Sequence, residues 1–183
     1  PYGHKAPNVY LLHGDLTDEE MNSLYNHSKV KAMVSFTKGE GFGRPLLEFT
    51  ATGKPVIASG WSGHVDFLKD YSILLPGDLT DIHASAADKF LLKGSKWFTV
   101  NYQYASAVLK EVSENYKKHL PKAQQQMKYT NSTFTLDKMA NKFVELVDEG
   151  LSKTPQEVAL KLPKLKKAEA PKLKLPKLKK AEV

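Results

Sequence analysis

The stretch Lys38-Gly39-Glu40-Gly41-Phe42-Gly43-Arg44-Pro45-Leu46-Leu47-Glu48-Phe49-Thr50-Ala51-Thr52-Gly53-Lys54-Pro55 decides how this chain folds. An apolar run, Val30 to Phe36, leads into it, and a second, Val56 to Ala58, follows it. Breakers between two apolar runs predict a strand, a glycine-rich turn, a short helix and a second strand. Gly39, Gly41 and Gly43 can take positive φ and leave room for a ligand against the backbone. Pro45 suits the first helical position, where its missing N–H costs nothing. The N–H groups of Gly41 to Arg44 would then face outward at the start of the helix, an arrangement that suits phosphate or sugar oxygens. Glu48 lies about one turn further on, within reach of the same crevice. A tight turn with two solvated glutamates would give the same Glu40–Glu48 spacing. The full string Glu-Gly-Phe-Gly-x-Pro-x-x-Glu is far more specific than that spacing alone.

The flanking sequence supplies the rest of an α/β domain. Asn8 to His13 reads as a strand, closed by the turn Gly14-Asp15-Leu16. Thr17 with Glu20 forms a capping box that opens a helix ending near Lys29, with Met21, Leu24, Tyr25 and Ser28 on one face. Val30–Phe36, Val56–Ser59 and Ile73–Leu75 are three more strands. About four strands alternating with helices predict a Rossmann-like, mostly parallel sheet. After the third strand comes Gly60-Trp61-Ser62-Gly63-His64-Val65-Asp66-Phe67-Leu68, where Ser62 is placed to cap a short helix. Asp66 either caps that helix or, with His64, faces the crevice; Trp61 either lines the pocket or packs in the core. From Asp81 the pattern turns helical: Ile82–Leu92, Trp97 to about Leu120 with Pro121 as its stop or kink, Lys122–Tyr129, and Leu136–Leu151 after a break at Asn131-Ser132-Thr133. Met139, Phe143, Leu146 and Val147 share one face of the last helix.

Composition narrows the classes. The absence of cysteine excludes disulfides and thiolate metal sites and fits a reducing, cytoplasmic setting. No apolar run is long enough to span a bilayer. The net charge of +7 over 183 residues is concentrated at one end. Residues 154–183 hold nine Lys and three Glu, which leaves +1 for the other 153 residues. A near-neutral body does not read as a nucleic-acid binder. In the tail, a ten-residue unit beginning at Lys161 recurs from Lys174, a period of 13 residues. Its prolines and dense charge predict a flexible solvated segment; the alternative is a lysine–leucine segment that adheres to anionic membrane surface or to nucleic acid, which would make the protein membrane-peripheral. The expected division is therefore a domain over 1–152 and a tail over 153–183. Arg44 is the only arginine beside 26 lysines. Arg44 and Lys38 are each either phosphate-facing cations or solvated surface residues.

Glu40-Gly41-Phe42-Gly43-Arg44-Pro45-Leu46-Leu47-Glu48, followed by Gly53-Lys54-Pro55-Val56-Ile57, resembles the Glu-x7-Glu signature of the group 1 retaining glycosyltransferases. The resemblance runs from about Asn8 to Leu75 and more loosely to about Gly150. It departs at Arg44, where the family usually has an aliphatic residue. It implies half of a two-domain GT-B fold, the carboxyl-terminal domain that binds a nucleotide-diphosphate sugar, and a hexosyltransferase-type activity. By the same resemblance, Glu40 would act at the donor sugar. Gly41, Phe42 and Gly43 would present backbone N–H groups to the sugar and diphosphate, and Glu48 would hold the ribose. Gly14, Asp15 and Leu16 would lie against the base. No metal and no cofactor beyond the nucleotide-sugar substrate is implied, and the chain has no Asp-x-Asp motif. The family's amino-terminal acceptor domain and its diphosphate-gripping Arg/Lys pair have no counterpart here. The expectation is a fragment, inactive alone, whose acceptor half lies elsewhere in a longer product or on a partner chain. The competing reading is a non-catalytic nucleotide-binding or assembly module of the same fold. A dehydrogenase-type domain is disfavoured, because no Gly-x-Gly-x-x-Gly opens a helix.

Overall fold

Parallel strands need helical crossovers, and the chain supplies them in alternation. The computed structural model describes residues 7–153. Strands β1 (Met33–Ser35), β2 (Val56–Ser59) and β3 (Ile73–Leu75) form one parallel sheet in the order β1-β2-β3. Met33 pairs with Val56, and Ile57 with Ile73. Helix α1 (Asp18–Asn26) precedes β1, and α2 (Arg44–Thr50) connects β1 to β2. The short α3 (Val65–Leu68), with a 3-10 turn over Lys69–Tyr71, connects β2 to β3.

All four residues of the central strand are buried, as a parallel strand covered on both faces requires. The two-residue alternation divides them between two cores. Val56 and Ala58 meet Leu46, Phe49, Phe67 and Leu68 on one face; Ile57 meets Leu75, Phe98, Val100, Ala105 and Val112 on the other. Helix α5 (Tyr116–Thr133) closes the first face. Its buried Thr130 shares a 2.8 Å hydrogen bond with Thr50 of α2, and Gln126 donates to the Phe67 carbonyl at 2.8 Å. These bonds satisfy polar groups that would otherwise be costly to bury. Helix α4 (Tyr102–Glu114), capped by the Asn101 side chain, places Ala105 and Val112 in the second core.

The capping box forms as predicted. Thr17 N–H donates to Glu20 Oε2 at 2.9 Å, and Glu20 N–H to Thr17 Oγ1 at 3.2 Å. The other end of α1 is held by Lys54, whose ammonium donates to the carbonyls of Tyr25 (2.6 Å) and His27 (2.9 Å). Met21 and Tyr25 are half-buried beneath α1, whereas Leu24 and Ser28 are exposed.

Four expectations are corrected. Residues 8–13 form no strand: Val9 to Leu12 are 67–89 % exposed, and among the described residues β1 pairs only with β2. An apolar run becomes a strand only where a neighbour takes its backbone hydrogen bonds. Residues 77–100 are an antiparallel hairpin, with β4 (Gly77–Asp81) paired to β5 (Lys96–Val100), rather than helix. Only a 3-10 turn, Ala84–Ala86, falls in the stretch expected to be helical. Pro121 does not stop a helix. The break falls at Asn115, and the proline lies inside α5, which continues through Asn131-Ser132-Thr133. The last helix, α6, runs Leu136–Lys153 with none of its residues buried.

The chain divides into two compact units at Lys142/Phe143, with both sheets in the first. The repeat tail, 154–183, lies outside the described residues.

Candidate functional site

In a parallel sheet every strand ends on the same edge, so the loops after β1 and β2 are brought side by side. The first is Phe36–Gly43, and the second is Gly60–His64. Their packing is tight. Ser62 Oγ accepts from Glu40 N–H at 3.0 Å and donates to the Glu40 carbonyl at 2.7 Å, and Gly63 N–H donates to that carbonyl at 3.0 Å. Gly43, at φ +87°, caps α2 from the left-handed region, and a Cβ there would lie 2.9 Å from His64 Cβ. Of the three loop glycines only Gly43 takes a positive φ. Pro45 is the second helical residue rather than the first.

Behind the loops His64 is fully buried. Its Nε2 donates to the Ser59 carbonyl at 2.6 Å, and a carbonyl can only accept, so the proton sits on Nε2. Its Nδ1 is buried without a partner among the described residues. His64 therefore supports the loops from within and does not face the crevice. Asp66 is exposed in the first turn of α3.

The predicted site residues fall into four groups. Glu40, Gly41, Phe42 and Gly43 form the loop itself. Among the described residues nothing accepts from the N–H groups of Gly41, Phe42 or Gly43, and the Glu40 carboxylate has no ion pair or hydrogen bond. The Phe42 ring packs on Phe67 (5.0 Å) and Phe134 (6.3 Å) while staying 45 % exposed. Leu16, Arg44 and Glu48 share a groove of about 660 Å³ with Asn22, Tyr25 and Pro45. Arg44 Nε lies 3.0 Å from Glu48 Oε1, both side chains being well exposed. Gly14 and Asp15 are exposed on the turn before α1 and do not line that groove.

Lys38 goes elsewhere. Its Nζ donates to Thr99 Oγ1 at 3.0 Å and sits 5.1 Å above the Trp97 ring, both on β5. This spends the ammonium on the hairpin. Trp61 stacks on Phe98 at 5.9 Å and 7°, which gives it a packing role while one part of the ring stays exposed.

Two groups beside the site were not singled out from sequence. Tyr25 was read only as a packing residue of α1, yet it lines the groove with Glu48. Burial first, and then the Glu48 carboxylate, hold its phenol above the ordinary value, so it stays protonated as a hydrogen-bond donor. Ser62 was read as a helix cap, yet it bonds Glu40; the signal was its place between Gly60-Trp61 and Gly63. A separate cavity of about 400 Å³ lies among Ile73, Tyr104, Glu111, Lys118 and His119, where β3 begins, at the opposite edge of the sheet.

The two glycine-bearing loops lie side by side at the carboxyl edge of the parallel sheet, the edge at which open α/β sheets form their ligand crevices. The sequence pattern of the family described as Glycosyl transferases group 1 matches residues 4–96, which contain both loops and the groove. The chain belongs to the group 1 glycosyltransferases. No curated protein matches it.

Proposed function

We propose that this domain binds the nucleotide-diphosphate sugar of a retaining hexosyltransferase and presents the sugar to an acceptor held by another domain or chain. One observation carries the reading: three unpartnered N–H groups, at Gly41, Phe42 and Gly43, stand beside the free carboxylate of Glu40. Breaking the bond between a sugar and its diphosphate puts negative charge on the departing phosphate and positive charge on the anomeric carbon. Fixed N–H dipoles answer the first charge and a carboxylate the second, with no reorganisation at the moment of reaction. The base would lie toward Leu16 and the ribose hydroxyls on Glu48, with the protonated Tyr25 phenol as a further donor. Arg44 now pairs with Glu48, but an ion pair this exposed is worth only about 0–1 kcal/mol. A ribose diol can therefore replace it and free the guanidinium for phosphate. Lys38 is left out of the ligand shell, since Thr99 and Trp97 already hold it.

Titration calorimetry with UDP-, GDP- and ADP-glucose tests the reading. One of the three is expected to bind the wild type. Glu48→Ala is expected to weaken it on the order of 10-fold through the loss of charge-assisted hydrogen bonds. In a reconstituted two-domain enzyme, Glu40→Ala is expected to abolish transfer while binding persists. Full transfer by that variant would favour the non-catalytic module instead.

A further inference from the structure

We infer that Ser62 is a positioning residue for Glu40, a hydroxyl held in a strained backbone so that the carboxylate loop is fixed before ligand arrives. The inference rests on the function just proposed for Glu40. Ser62 is the only non-glycine residue at positive φ among the described residues, at +80°. A side chain in that region is unfavourable, and a glycine would sit there without strain. The position nevertheless carries a serine, between a tryptophan and a glycine. Its hydroxyl uses both its donor and an acceptor lone pair on one residue, taking the Glu40 N–H at 3.0 Å and giving to the Glu40 carbonyl at 2.7 Å. Gly63 adds a second donor to the same carbonyl at 3.0 Å. Both polar groups of the Glu40 backbone are thus consumed by the neighbouring loop, whereas its carboxylate and the three N–H groups after it remain uncommitted. Strain retained at one point and matched by bonds at another is how a reactive group is held in place. A displacement of about 1 Å at a reacting group costs on the order of 100-fold in rate, so fixing this loop has consequences out of proportion to three hydrogen bonds.

Two variants separate hydroxyl from strain. Ser62→Ala removes the hydroxyl and keeps the strained Cβ; Ser62→Gly removes both, and its backbone is at ease at +80°. Amide hydrogen exchange on the ligand-free full chain gives the first readout. Both variants are expected to speed exchange of the Glu40 amide at least about 10-fold, with β2 amides unchanged, because the bond at that amide is gone. Calorimetry with UDP-, GDP- and ADP-glucose and the matching nucleoside monophosphates gives the second. Both variants are expected to bind the sugar nucleotide about 10-fold more weakly and the monophosphate within about twofold of wild type. A generally loosened fold would weaken both ligands and lower the melting temperature. Wild-type exchange and wild-type sugar-nucleotide affinity in Ser62→Gly would overturn the inference. Absence of sugar-nucleotide binding by the wild type would instead sink the function proposed for the site; the exchange result then judges the clasp alone, unchanged exchange overturning it.

Discussion

Two glycines a few ångströms apart make opposite predictions when given the same methyl group. At Gly63, a Cβ would lie 2.7 Å from the Gly41 carbonyl carbon, nearer still to that carbonyl's oxygen, and 3.0 Å from the Glu40 oxygen, against an ordinary contact limit of 3.4 Å. The first distance falls about 0.7 Å short of that limit, and both neighbours are backbone, which cannot rotate away. The loop must move by at least that much. Overpacking of this kind costs about 1–3 kcal/mol. Losing the Gly63-to-Glu40 hydrogen bond adds about 1 kcal/mol. For a domain of this size the two together lower the melting temperature by about 5–15 °C. Sugar-nucleotide affinity is expected to fall on the order of 10- to 100-fold, because the displaced residues include Glu40. At Gly41 a Cβ meets nothing within 4 Å, and φ is not positive. Gly41→Ala is therefore expected to leave stability within about 0.5 kcal/mol of wild type. Under the proposed function a diphosphate lies against the loop amides, so the added methyl is expected to lower affinity while the melting curve stays put. Thermal denaturation and calorimetry on both variants read this out. Unaltered sugar-nucleotide binding by Gly41→Ala would refute the placement of a ligand against this backbone, and an unaltered melting curve for Gly63→Ala would refute the steric account of the two loops.

Lys54→Met removes the ammonium that holds the Tyr25 and His27 carbonyls, and is expected to destabilise the domain by about 1–3 kcal/mol in chemical denaturation. Arg44→Ala breaks only an exposed pair, so stability is expected to stay within about 0.5 kcal/mol. Its sugar-nucleotide affinity is expected to drop on the order of 10-fold if the guanidinium meets phosphate, and calorimetry that shows no drop returns Arg44 to the solvated surface. Hydrogen bonds from Lys118 and then Asn115 hold the Glu111 carboxyl below its ordinary 4.5. A carboxyl depressed in the folded state adds stability above its unfolded pKa and loses it as pH falls through the folded one. Glu111→Gln is therefore expected to melt lower than wild type near neutrality, with the difference vanishing as pH drops below 4.5; a gap that persists into acid would contradict this.

Much of this architecture was legible because several local signals agreed. Thr17 and Glu20 specify a helix start whatever surrounds them, and Val56–Ser59 and Ile73–Leu75, bounded by proline, glycine or serine, fall in the sheet at their predicted limits. The glycine turn and its helix were readable because Gly43, Pro45 and the flanking apolar runs all pointed the same way. The hairpin was not. Gly77-Asp78-Leu79-Thr80-Asp81 is polar and exposed along most of its length, and the apolar spacing from Trp97 onward suits a helix as well as a strand. The alternation of buried Phe98 and Val100 was the one signal there, and it was too short to decide. Val9–Leu12 shows the reverse failure, a strand-forming run with no strand beside it among the described residues. Glu40, Gly43, Glu48 and Leu16 were singled out from one string and one turn, and the structure places the first two on the loop after β1 and the other two on the groove. The destination of Lys38 and the bond partners of Ser62 depend on residues 61 and 22 positions away, and no local pattern encodes such pairings.

Amide chemical-shift mapping of the isotope-labelled chain during titration with the sugar nucleotide that binds tests the central claim most directly. The account predicts perturbations at residues 14–16, 40–44, 48 and 62–63, with the largest at the Gly41, Phe42 and Gly43 amides. Saturable shifts confined to the cavity among Tyr104, Glu111 and His119, with the Gly41–Gly43 amides unmoved, would contradict it.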